Sequence, residues 1–234
     1  MSTTATLPSA TWKGSGRRLR VYLRSVIAHA DPWQNRDSAV LFEVRDAQLL
    51  AVARDQHTLG VARDVVEPST PGVEFTVTVR AADLHHLMLS ALLGSDQVTL
   101  TLSPAGVEIA SDRTWHFVRA ADSELAPTDW RALVEPYING TAPALVDTAG
   151  YNVRHLDRFA YLADEDRNTP LVLTHYGAGE ASVVTFGDWF LGLIRPVTPE
   201  YGKPALTHIA WSIALSTEAG SGPAGDSTHE GTVA

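Results

Sequence analysis

The sequence predicts an α+β fold in which antiparallel sheets pack on short helices, arranged as three copies of one module. Each module is a short amphipathic helix followed by alternating strands, with helices expected near residues 17–30, 82–93 and 152–163. Two segments, 98–122 and 171–197, share the order strand, Gly turn, strand, Asp near Trp and final strand. A module that cannot bury its own apolar face must stack on its neighbours, which favours a binding surface over a single chemical cleft.

The composition excludes several classes of protein for this chain. The chain has 234 residues, 44% of them hydrophobic, which suffices for a buried core in one or two domains. It has no cysteine, so disulfides and thiolate metal sites are excluded. We expect a cytoplasmic protein without a membrane span, because the sequence has neither a signal-peptide pattern nor an apolar run of about 18 residues. A net charge of −9 argues against indiscriminate coating of nucleic acid.

The first module follows residues 1–16, a Ser/Thr/Gly-rich stretch that predicts a frayed end or a short edge strand. Its helix is expected to end at Asp31, because the residue before a proline disfavours the helical conformation. Strands are predicted at 39–44, 49–53 and 58–66. The apolar stripe of the helix consists of Leu19, Leu23, Val26, Ile27 and Ala30.

The second module opens with a regularly alternating strand at 75–79. The helix after it is expected to stop at Gly94, since glycine commonly ends helices. Strands follow at 98–102, 107–109 and 115–119. The apolar stripe of this helix consists of Leu84, Leu87, Met88 and Ala91.

The third module is predicted from one helix and from strands at 170–176, 181–186 and up to Val197. Its helix is expected to turn Arg154 and Arg158 outward. An alternating segment at 209–215 predicts one extra strand or a short helix. The residues expected to face inward from the helix are Val153, Leu156, Phe159, Ala160 and Ala163.

Domain boundaries follow from the linker composition of the segment between the second and third modules, which is rich in Asp, Pro, Asn and Gly. We expect a first domain at 1–126, a linker at 127–143, a partial second domain at 144–215 and a disordered tail at 216–234. Five apolar linker residues are expected to dock on the domains: Trp130, Leu133, Val134, Tyr137 and Ile138.

Three stretches, 49–59, 77–130 and 151–197, carry motifs of a known family: they resemble bacterial sliding clamps, the beta subunit of replicative DNA polymerase. The segment 49–59 is similar to the clamp strand and loop that reads roughly L-x-L-x-A-T-D-G-H-R-L. The run 77–130 resembles the second half of a clamp domain and leads into Asp129-Trp130-Arg131, which is similar to the connector P-D-[WY]-R. The stretch 151–197 resembles the end of the last clamp domain, which closes on L-I-M-P-V-R. These matches occur in the family's order and cover roughly residues 17–197.

The resemblance implies a DNA-clamp-like fold. Each clamp domain is an antiparallel sheet around two helices, and six domains close a ring around duplex DNA with the helices lining the hole. Three modules amount to one and a half such domains, as though the first half of the last domain were absent. The chain therefore resembles a truncated or divergent clamp, and a phage-type origin stays open.

A stripe of arginines on the first helix is the main candidate for DNA contact. Arg17, Arg20 and Arg24 follow an i, i+3, i+7 spacing, with Arg18 beside them. Such a stripe fits a solvated helix face as well as sequence-independent contact with phosphates. Taken with the resemblance, the predicted DNA-binding residues are Arg17, Arg18, Arg20, Arg24, Arg80, Arg154 and Arg158.

The resemblance also implies a pocket that captures peptide tails of polymerases and clamp loaders. Four residues depart from the family pattern there, and the charge of Arg195 in place of the usual Met is expected to weaken or alter capture of aliphatic anchors. The other departures are Arg54, Gln56 and Thr58 for Thr, Gly and Arg. The predicted peptide-binding residues are Arg54, Asp55, His57, Leu59, Leu193, Arg195, Pro196 and Val197.

The function that these patterns predict is that of a non-enzymatic processivity factor. It would contact duplex DNA without sequence preference, tether polymerase or clamp-loader peptides and form a homo-oligomer, with no cofactor and no metal. One alternative is a clamp-fold adaptor or competitor that binds such peptides without encircling DNA. Another is a small hydrolase that uses His57 with Asp55, or the acidic loop at 164–166. His85 and His86 are adjacent on a helix and point about 100° apart, which does not suit a shared metal.

Overall fold

Two antiparallel sheets and four helices form the part of the chain that this computed structural model describes. The described residues are 7–31, 37–91, 97–140, 142–144, 149–164, 168–177 and 179–197. The strand or helix predicted at 209–215 and the predicted disordered tail lie outside these ranges. Within the described ranges, no helix is both long and apolar enough to cross a membrane.

The helices and strands occur in the predicted order. The helices are α1 (Gly16–Ala30), α2 (Ala81–Ala91), α3 (Trp130–Glu135) and α4 (Val153–Asp157), with 3₁₀ turns at Ser123–Leu125 and Ala160–Asp164 and a wider turn at Pro136–Gly140. The strands are β1 (Ala10–Gly14), β2 (Ala39–Arg45), β3 (Gln48–Arg54), β4 (Thr58–Val65), β5 (Glu67–Pro68), β6 (Phe75–Arg80), β7 (Val98–Ser103), β8 (Gly106–Ser111), β9 (Trp115–Arg119), β10 (Leu171–Thr174), β11 (Ser182–Phe186) and β12 (Phe190–Ile194).

The strands form a five-stranded sheet A and a seven-stranded sheet B. Sheet A has the order β5-β1-β7-β8-β9, and sheet B has the order β10-β11-β12-β4-β3-β2-β6. Module 1 is α1 with β2 to β4, module 2 is α2 with β7 to β9, and module 3 is α4 with the turn Ala160–Asp164 and β10 to β12. The strand before each of the first two helices lies in the other module's sheet, so modules 1 and 2 are interlocked. The predicted fold class, three helix-plus-strands modules with antiparallel sheets, is confirmed.

The main core lies between the helices and the inner faces of both sheets. The apolar stripe predicted for α1 is buried there, as are Leu84, Leu87 and Met88 of α2. Ser15 caps the start of α1, because its side chain accepts a hydrogen bond from the Arg18 N–H. Asp31 ends the helix in a left-handed conformation with φ of 47°.

The third helix differs from its prediction. It ends at Asp157 and gives way to the tighter turn Ala160–Asp164, in which about 3.0 residues complete a turn instead of 3.6. The inward stripe expected from an unbroken helix is therefore wrong in part. Val153 and Leu156 are 76% and 38% exposed, and Ala160 and Ala163 are exposed as well. Phe159 is buried as expected, and Leu162 is the second residue that enters the core.

Sheet B runs through module 1 and module 3. β12 pairs antiparallel with β4, from Phe190 opposite Ala62 to Ile194 opposite Thr58. Strands of the predicted second domain thus continue the sheet of the first, while the predicted domain limits themselves stay a prediction.

The segment expected to be a linker contains α3, which packs on the outer face of sheet B. Trp130 and Val134 are buried in a second apolar cluster on that face, and Leu133 and Tyr137 pack against it partly buried. Ile138 is 61% exposed, so it does not dock as expected. The outer cluster exists because β2, β3, β4 and β12 carry apolar residues on both faces, and α3 covers the second one.

Candidate functional site

The helical segments of the three modules lie on one side of the sheets. α1 contacts α2 and also the turn Ala160–Asp164, and it packs on β2, β3 and β4 beneath it. This row of helices is the surface on which the predicted arginines have to appear if they are to meet a common partner.

Most of α1 is buried, and its accessible line coincides with the predicted arginine stripe. Arg17 and Arg18 are exposed, and Arg20, Arg24 and Ala28 are half-buried. The spacing of Arg17, Arg20, Arg24 and Ala28 keeps them on one face of the helix. The structure therefore brings these three arginines together on the outer side of the helix row.

Arg17 and Arg24 connect α1 to module 3 through uncharged partners. The Arg17 guanidinium donates to the Asp164 carbonyl oxygen at 2.6 Å. The Arg24 guanidinium lies over the Tyr161 ring, 4.1 Å from its centroid. Neither a carbonyl nor a phenol ring cancels the positive charge, so both arginines remain attractive to a phosphate.

Arg18 and Arg80 have charged partners. Arg18 donates to both carboxylate oxygens of Asp64 at 3.0 and 3.1 Å, and Asp64 also accepts from the Trp12 indole. Arg80 lies 3.4 Å from Asp37 at the surface. Their positive charges are partly compensated, which makes them weaker candidates for phosphate contact than Arg17 and Arg24.

Arg158 is held in an ion-pair network instead of pointing outward, so that expectation is wrong. Its guanidinium donates to Asp55 at 2.6 Å, to the Thr58 hydroxyl at 2.6 Å and to Asp31 at 3.0 Å. The side chain is only 13% exposed, and both carboxylates are similarly covered. The network ties module 3 to the end of α1 and to the loop before β4. Arg154, four residues earlier, is exposed as expected.

Asp55 organises the loop between β3 and β4. One carboxylate oxygen accepts from the backbone N–H groups of His57 and Thr58 at 2.8 and 2.7 Å, and the other accepts from Arg158. Burial by itself raises the pKa of Asp55, but the hydrogen bonds from Arg158 and from the two N–H groups outweigh it, so this pKa lies below its ordinary value. Asp55 is therefore charged at neutral pH and acts as the centre of the loop.

The geometry of His57 does not form a catalytic pair with Asp55. Asp55 accepts from the backbone N–H of His57, whereas the imidazole stacks on the His155 ring with centroids 4.4 Å apart. Burial and the neighbouring charges of His57 and Arg158 lower the pKa of His155. The hydrolase alternative lacks the carboxylate-to-imidazole hydrogen bond that it would need.

The two predicted walls of the peptide pocket lie side by side. Leu193 is opposite Leu59 in the β12–β4 pairing, and the Arg195 N–H donates to the His57 carbonyl at 3.0 Å. Pro196 is half-buried, and the Val197 N–H donates to Gly150 at 2.8 Å. The sequence thus identified two segments, far apart in the chain, that are neighbours in space.

The side chains of Leu59 and Leu193 are covered by α3. They are 2% and 7% exposed in the outer cluster, together with Trp130. The accessible apolar rim of this cluster includes Leu133, Leu191 and a T-shaped pair of Tyr137 and Tyr176 with centroids 5.1 Å apart. Sequence reasoning named the linker residues only as docking anchors, although the i, i+3, i+4, i+7 spacing of Trp130, Leu133, Val134 and Tyr137 was a usable signal of a helix.

Polar contacts lock α3 onto the sheet. Glu43 of β2 accepts from the Trp130 indole at 3.1 Å and binds the Arg131 guanidinium through both oxygens. Asp129 pairs with Arg54 at 2.9 Å. Burial raises the pKa of Glu43, but the hydrogen bonds from Arg131 and Trp130 outweigh it, and the net shift is downward. All three residues of the Asp129-Trp130-Arg131 motif therefore position the helix.

A polar cleft of about 820 Å³ opens beside the loop between β3 and β4. Its walls include Arg54 at the end of β3, His57 of the loop between β3 and β4, and Arg154 and His155 of α4. Glu124 and Leu125 of the 3₁₀ turn complete the lining on another side. Arg54, expected on the peptide side, and Arg154, expected on the DNA side, thus share one cleft. Among the described residues no group of three or more His, Asp or Glu side chains is arranged to hold a metal ion.

No protein family model matches this sequence, and no curated protein matches it either. Its similarity to known proteins appears in three dimensions. It resembles the sliding clamp of Bartonella birtlesii bound to griselimycin, with a TM-score of 0.58, 11% identity and 84% of this chain covering 67% of the clamp. A putative DNA polymerase III beta subunit of Eubacterium rectale is similar with a TM-score of 0.56 and 15% identity, and the match covers 80% of this chain and 65% of that protein. The Bacillus subtilis clamp is similar with a TM-score of 0.54 and 13% identity, and the match covers 80% of this chain and 64% of the clamp.

The fold is that of the sliding clamps of DNA polymerase III. At 10–15% identity the likeness establishes the fold alone. The chain spans about two thirds of the length of these clamps. The architecture thus defines a partial or divergent clamp-fold protein.

Proposed function

We propose that this protein is a sliding-clamp-like accessory of DNA replication that contacts duplex DNA through the helix row and tethers partner proteins on the outer face. It has no catalytic role in this proposal. The observation that carries it is the arginine stripe: Arg17, Arg20 and Arg24 follow one another along the accessible face of α1. A flexible, sequence-neutral contact with phosphates is what a protein that travels along DNA requires.

Charge reversal of the stripe tests the DNA contact. We expect Arg17→Glu, Arg20→Glu and Arg24→Glu together to weaken binding to a mixed-sequence duplex by at least about 100-fold at low salt. Each phosphate contact releases counterions from the DNA, and this release favours binding, so every lost contact lowers the affinity. Binding would be followed by fluorescence anisotropy across a salt series, and circular dichroism would verify the fold.

A matched control changes the same charge elsewhere. Lys13, Arg45 and Arg113 are exposed on strands and turns, so their replacement by Glu alters the net charge equally without touching α1. If both triple variants lose affinity to the same extent, binding follows overall charge, and the proposed DNA-facing surface is wrong.

A second candidate function is a clamp-fold adaptor that binds partner peptides without encircling DNA. It is favoured by the withdrawal of Arg158 into an ion-pair network, which removes one of the predicted phosphate contacts. The Arg17, Arg20 and Arg24 variant separates the two, because an adaptor would retain peptide binding and show no DNA affinity to lose.

A further inference from the structure

Two histidines join the loop between β3 and β4 to α4. The imidazoles of His57 and His155 stack with ring centroids 4.4 Å apart and ring planes 21° apart. Because the loop belongs to module 1 and α4 to module 3, the stack is a contact between modules. It lies in the wall of the cleft of about 820 Å³, where His57 is exposed and His155 is half-buried.

Few other contacts hold α4 in place within the described part of the chain. The helix has five residues, and its apolar side chains Val153 and Leu156 are 76% and 38% exposed. Asn152 caps its start through a hydrogen bond within the helix itself. A short element with few buried apolar contacts opens readily. The position of α4 therefore depends on the His155 side chain and on the ion pairs of Arg158 just after its end.

The stack suits neutral rings only. Protonation of both imidazoles would place two positive charges side by side, which like-charge repulsion disfavours. A charged imidazole also carries an N–H group at both ring nitrogens. Nδ1 of His155 is buried and has no hydrogen-bond partner among the described residues, so a proton there would lack an acceptor. The closed contact therefore binds a proton at His155 less readily than an imidazole in water does.

The nearest carboxylates compensate such a charge only in part. Asp31, at the end of α1, and Asp55, in the loop, both accept from the guanidinium of Arg158, at 3.0 and 2.6 Å. Burial first, and then the positive charges of His57 and Arg158, lower the pKa of His155, while Asp55 and Asp31 oppose this shift. The net direction is downward, which agrees with the buried Nδ1 and with the stacked geometry.

The other charged side chains around the cleft come from elements on its remaining sides. Arg54 is paired with Asp129 at 2.9 Å, and Asp37 lies 3.4 Å from Arg80. Asp157 of α4 faces a different pocket. Two positive groups and one negative group complete the surroundings: Arg154 of α4, Arg195, whose N–H donates to the His57 carbonyl, and Glu124 of the 3₁₀ turn. These groups do not favour a protonated stack either.

We propose that the His57–His155 stack is a proton-sensitive contact between modules 1 and 3, closed while both rings are neutral and opened by protonation as the pH falls. In the open form α4 moves away from the loop and His155 enters water. Since an imidazole in water binds a proton more tightly than the closed stack does, acidification below about pH 6.5 increases the population of the open form. Arg158 keeps its ion pairs, so the modules stay joined just beyond α4.

The opening is a property of the fold and does not depend on what the protein binds. Its consequence for binding rests on the proposed function: the contact lies beside Arg54, Asp55 and His57, which are predicted to bind partner peptides, so acidification would change the shape of that site. The test is therefore made without DNA or peptide, and its failure would leave the proposed function standing.

Amide hydrogen exchange of the full chain, resolved by NMR, measures the opening. The N–H groups of His155 and Leu156 donate to the Asn152 carbonyl in the closed form, and a helix as short as α4 does not persist once it is released. We expect their protection, corrected for the intrinsic exchange rate, to fall at least about tenfold between about pH 7.5 and about pH 5.5, since one unit of pKa difference is a factor of ten. Protection in β7 and β8 should change much less, which separates local opening from global unfolding.

His155→Phe is the decisive variant, because it keeps a ring in the stack and cannot be protonated. Its protection at these amides should be the same at both pH values. His116→Phe is the matched control. It replaces a histidine of β9 that is half-buried like His155 but lies in sheet A, so the pH response of the wild type should remain.

A second measurement follows the pKa of His155 by NMR. His57→Phe should raise this pKa by at least about half a unit, because it removes the neighbouring charge and leaves a ring in place. Wild-type protection that does not change with pH, an equal loss in His155→Phe or in β7 and β8, or a His155 pKa that is unmoved in His57→Phe would each overturn the proposal.

Discussion

At the scale of single residues, buried polar groups decide how the three modules are joined. Arg158 is the clearest case, because one guanidinium binds carboxylates at the end of α1 and in the loop before β4. Removing one partner from such a network leaves a covered charge unpaired, which is costly. Arg158, which the sequence suggested for DNA contact, thus connects modules 1 and 3 through ion pairs.

His29 is the second residue of this junction. It is fully buried against Phe159, with ring centroids 4.7 Å apart, and lies near Phe190. A Cβ at Gly60 would come within 2.3 Å of its ring, so the position of His29 requires glycine on β4. Burial, and then the charge of Arg158, lower the pKa of His29 to about 3.

We expect the protein to lose stability as the pH falls below about 6.5 because of His29. Between pH 6.5 and 3 the unfolded chain binds a proton at this histidine and the folded chain does not. The free energy of unfolding therefore falls by about 1.4 kcal/mol for each pH unit of acidification in this range. His29→Leu should flatten the slope of the unfolding free energy between pH 6.5 and 4.5, measured by urea denaturation.

The comparison at pH 8 is the control for that variant. Both proteins carry an uncharged side chain at position 29 there, so any difference reports packing alone. Slopes that remain equal below pH 6.5 would show that His29 is not the group responsible. The lowered pKa of Asp55 and of Glu43 adds stability loss of the same sign at more acidic pH.

At the scale of elements, α3 makes the connector between modules 2 and 3 part of the proposed peptide surface. It covers Leu59 and Leu193 and leaves Tyr137 and Tyr176 at the accessible rim. A peptide that used this site would meet the rim first. The expected effect of Arg195 belongs here as well, because it is exposed next to this surface.

We expect Tyr137→Ala to weaken binding of a partner peptide of the kind named in the proposed function, a polymerase or clamp-loader tail, by at least about tenfold through the loss of aromatic contact area. Isothermal titration calorimetry would measure it. Ile138→Ala is the matched control, since Ile138 is exposed and adjacent but does not pack on the cluster. Equal loss in both variants, or no binding by the wild type, would count against the peptide surface.

At the scale of the whole molecule, the number of modules limits what the assembly encloses. One copy of this chain carries three modules, whereas the six-domain ring of the resemblance contains twelve, and β9 ends sheet A among the described residues. β10 also ends sheet B with Leu171 and Val172 about half exposed, so the second end of the row is open among the described residues. Under the proposed function, this open row of helices would lie against DNA as an arc.

We expect an open arc to leave nicked circular and linearised plasmid equally fast. Both complexes should dissociate in about 0.5 M salt, because only phosphate contacts hold them. Gel filtration of the two complexes measures this. Retention on the circle alone would show a closed ring and would contradict an arc as the final assembly.

Much of the fold could be predicted from the sequence because the modules are locally encoded. The 3.6-residue period located α1 and α2, and the two-residue period located β2 to β4 and β7 to β9. The inward face predicted for the third helix was wrong in part, because a 3₁₀ turn replaces the second half of that helix. The helix α3 was missed because Pro and Asp residues gave its surroundings the composition of a linker.

For the candidate site, the chain by itself determined the arginine line on α1, since helical spacing fixes which residues share a face. It also located the loop at Asp55 and the segment at Arg195 through the motifs they carry. Only the tertiary structure decided that Arg158 is sequestered and that α3 covers Leu59 and Leu193. These depend on contacts between residues far apart in the chain, which local periodicity does not encode.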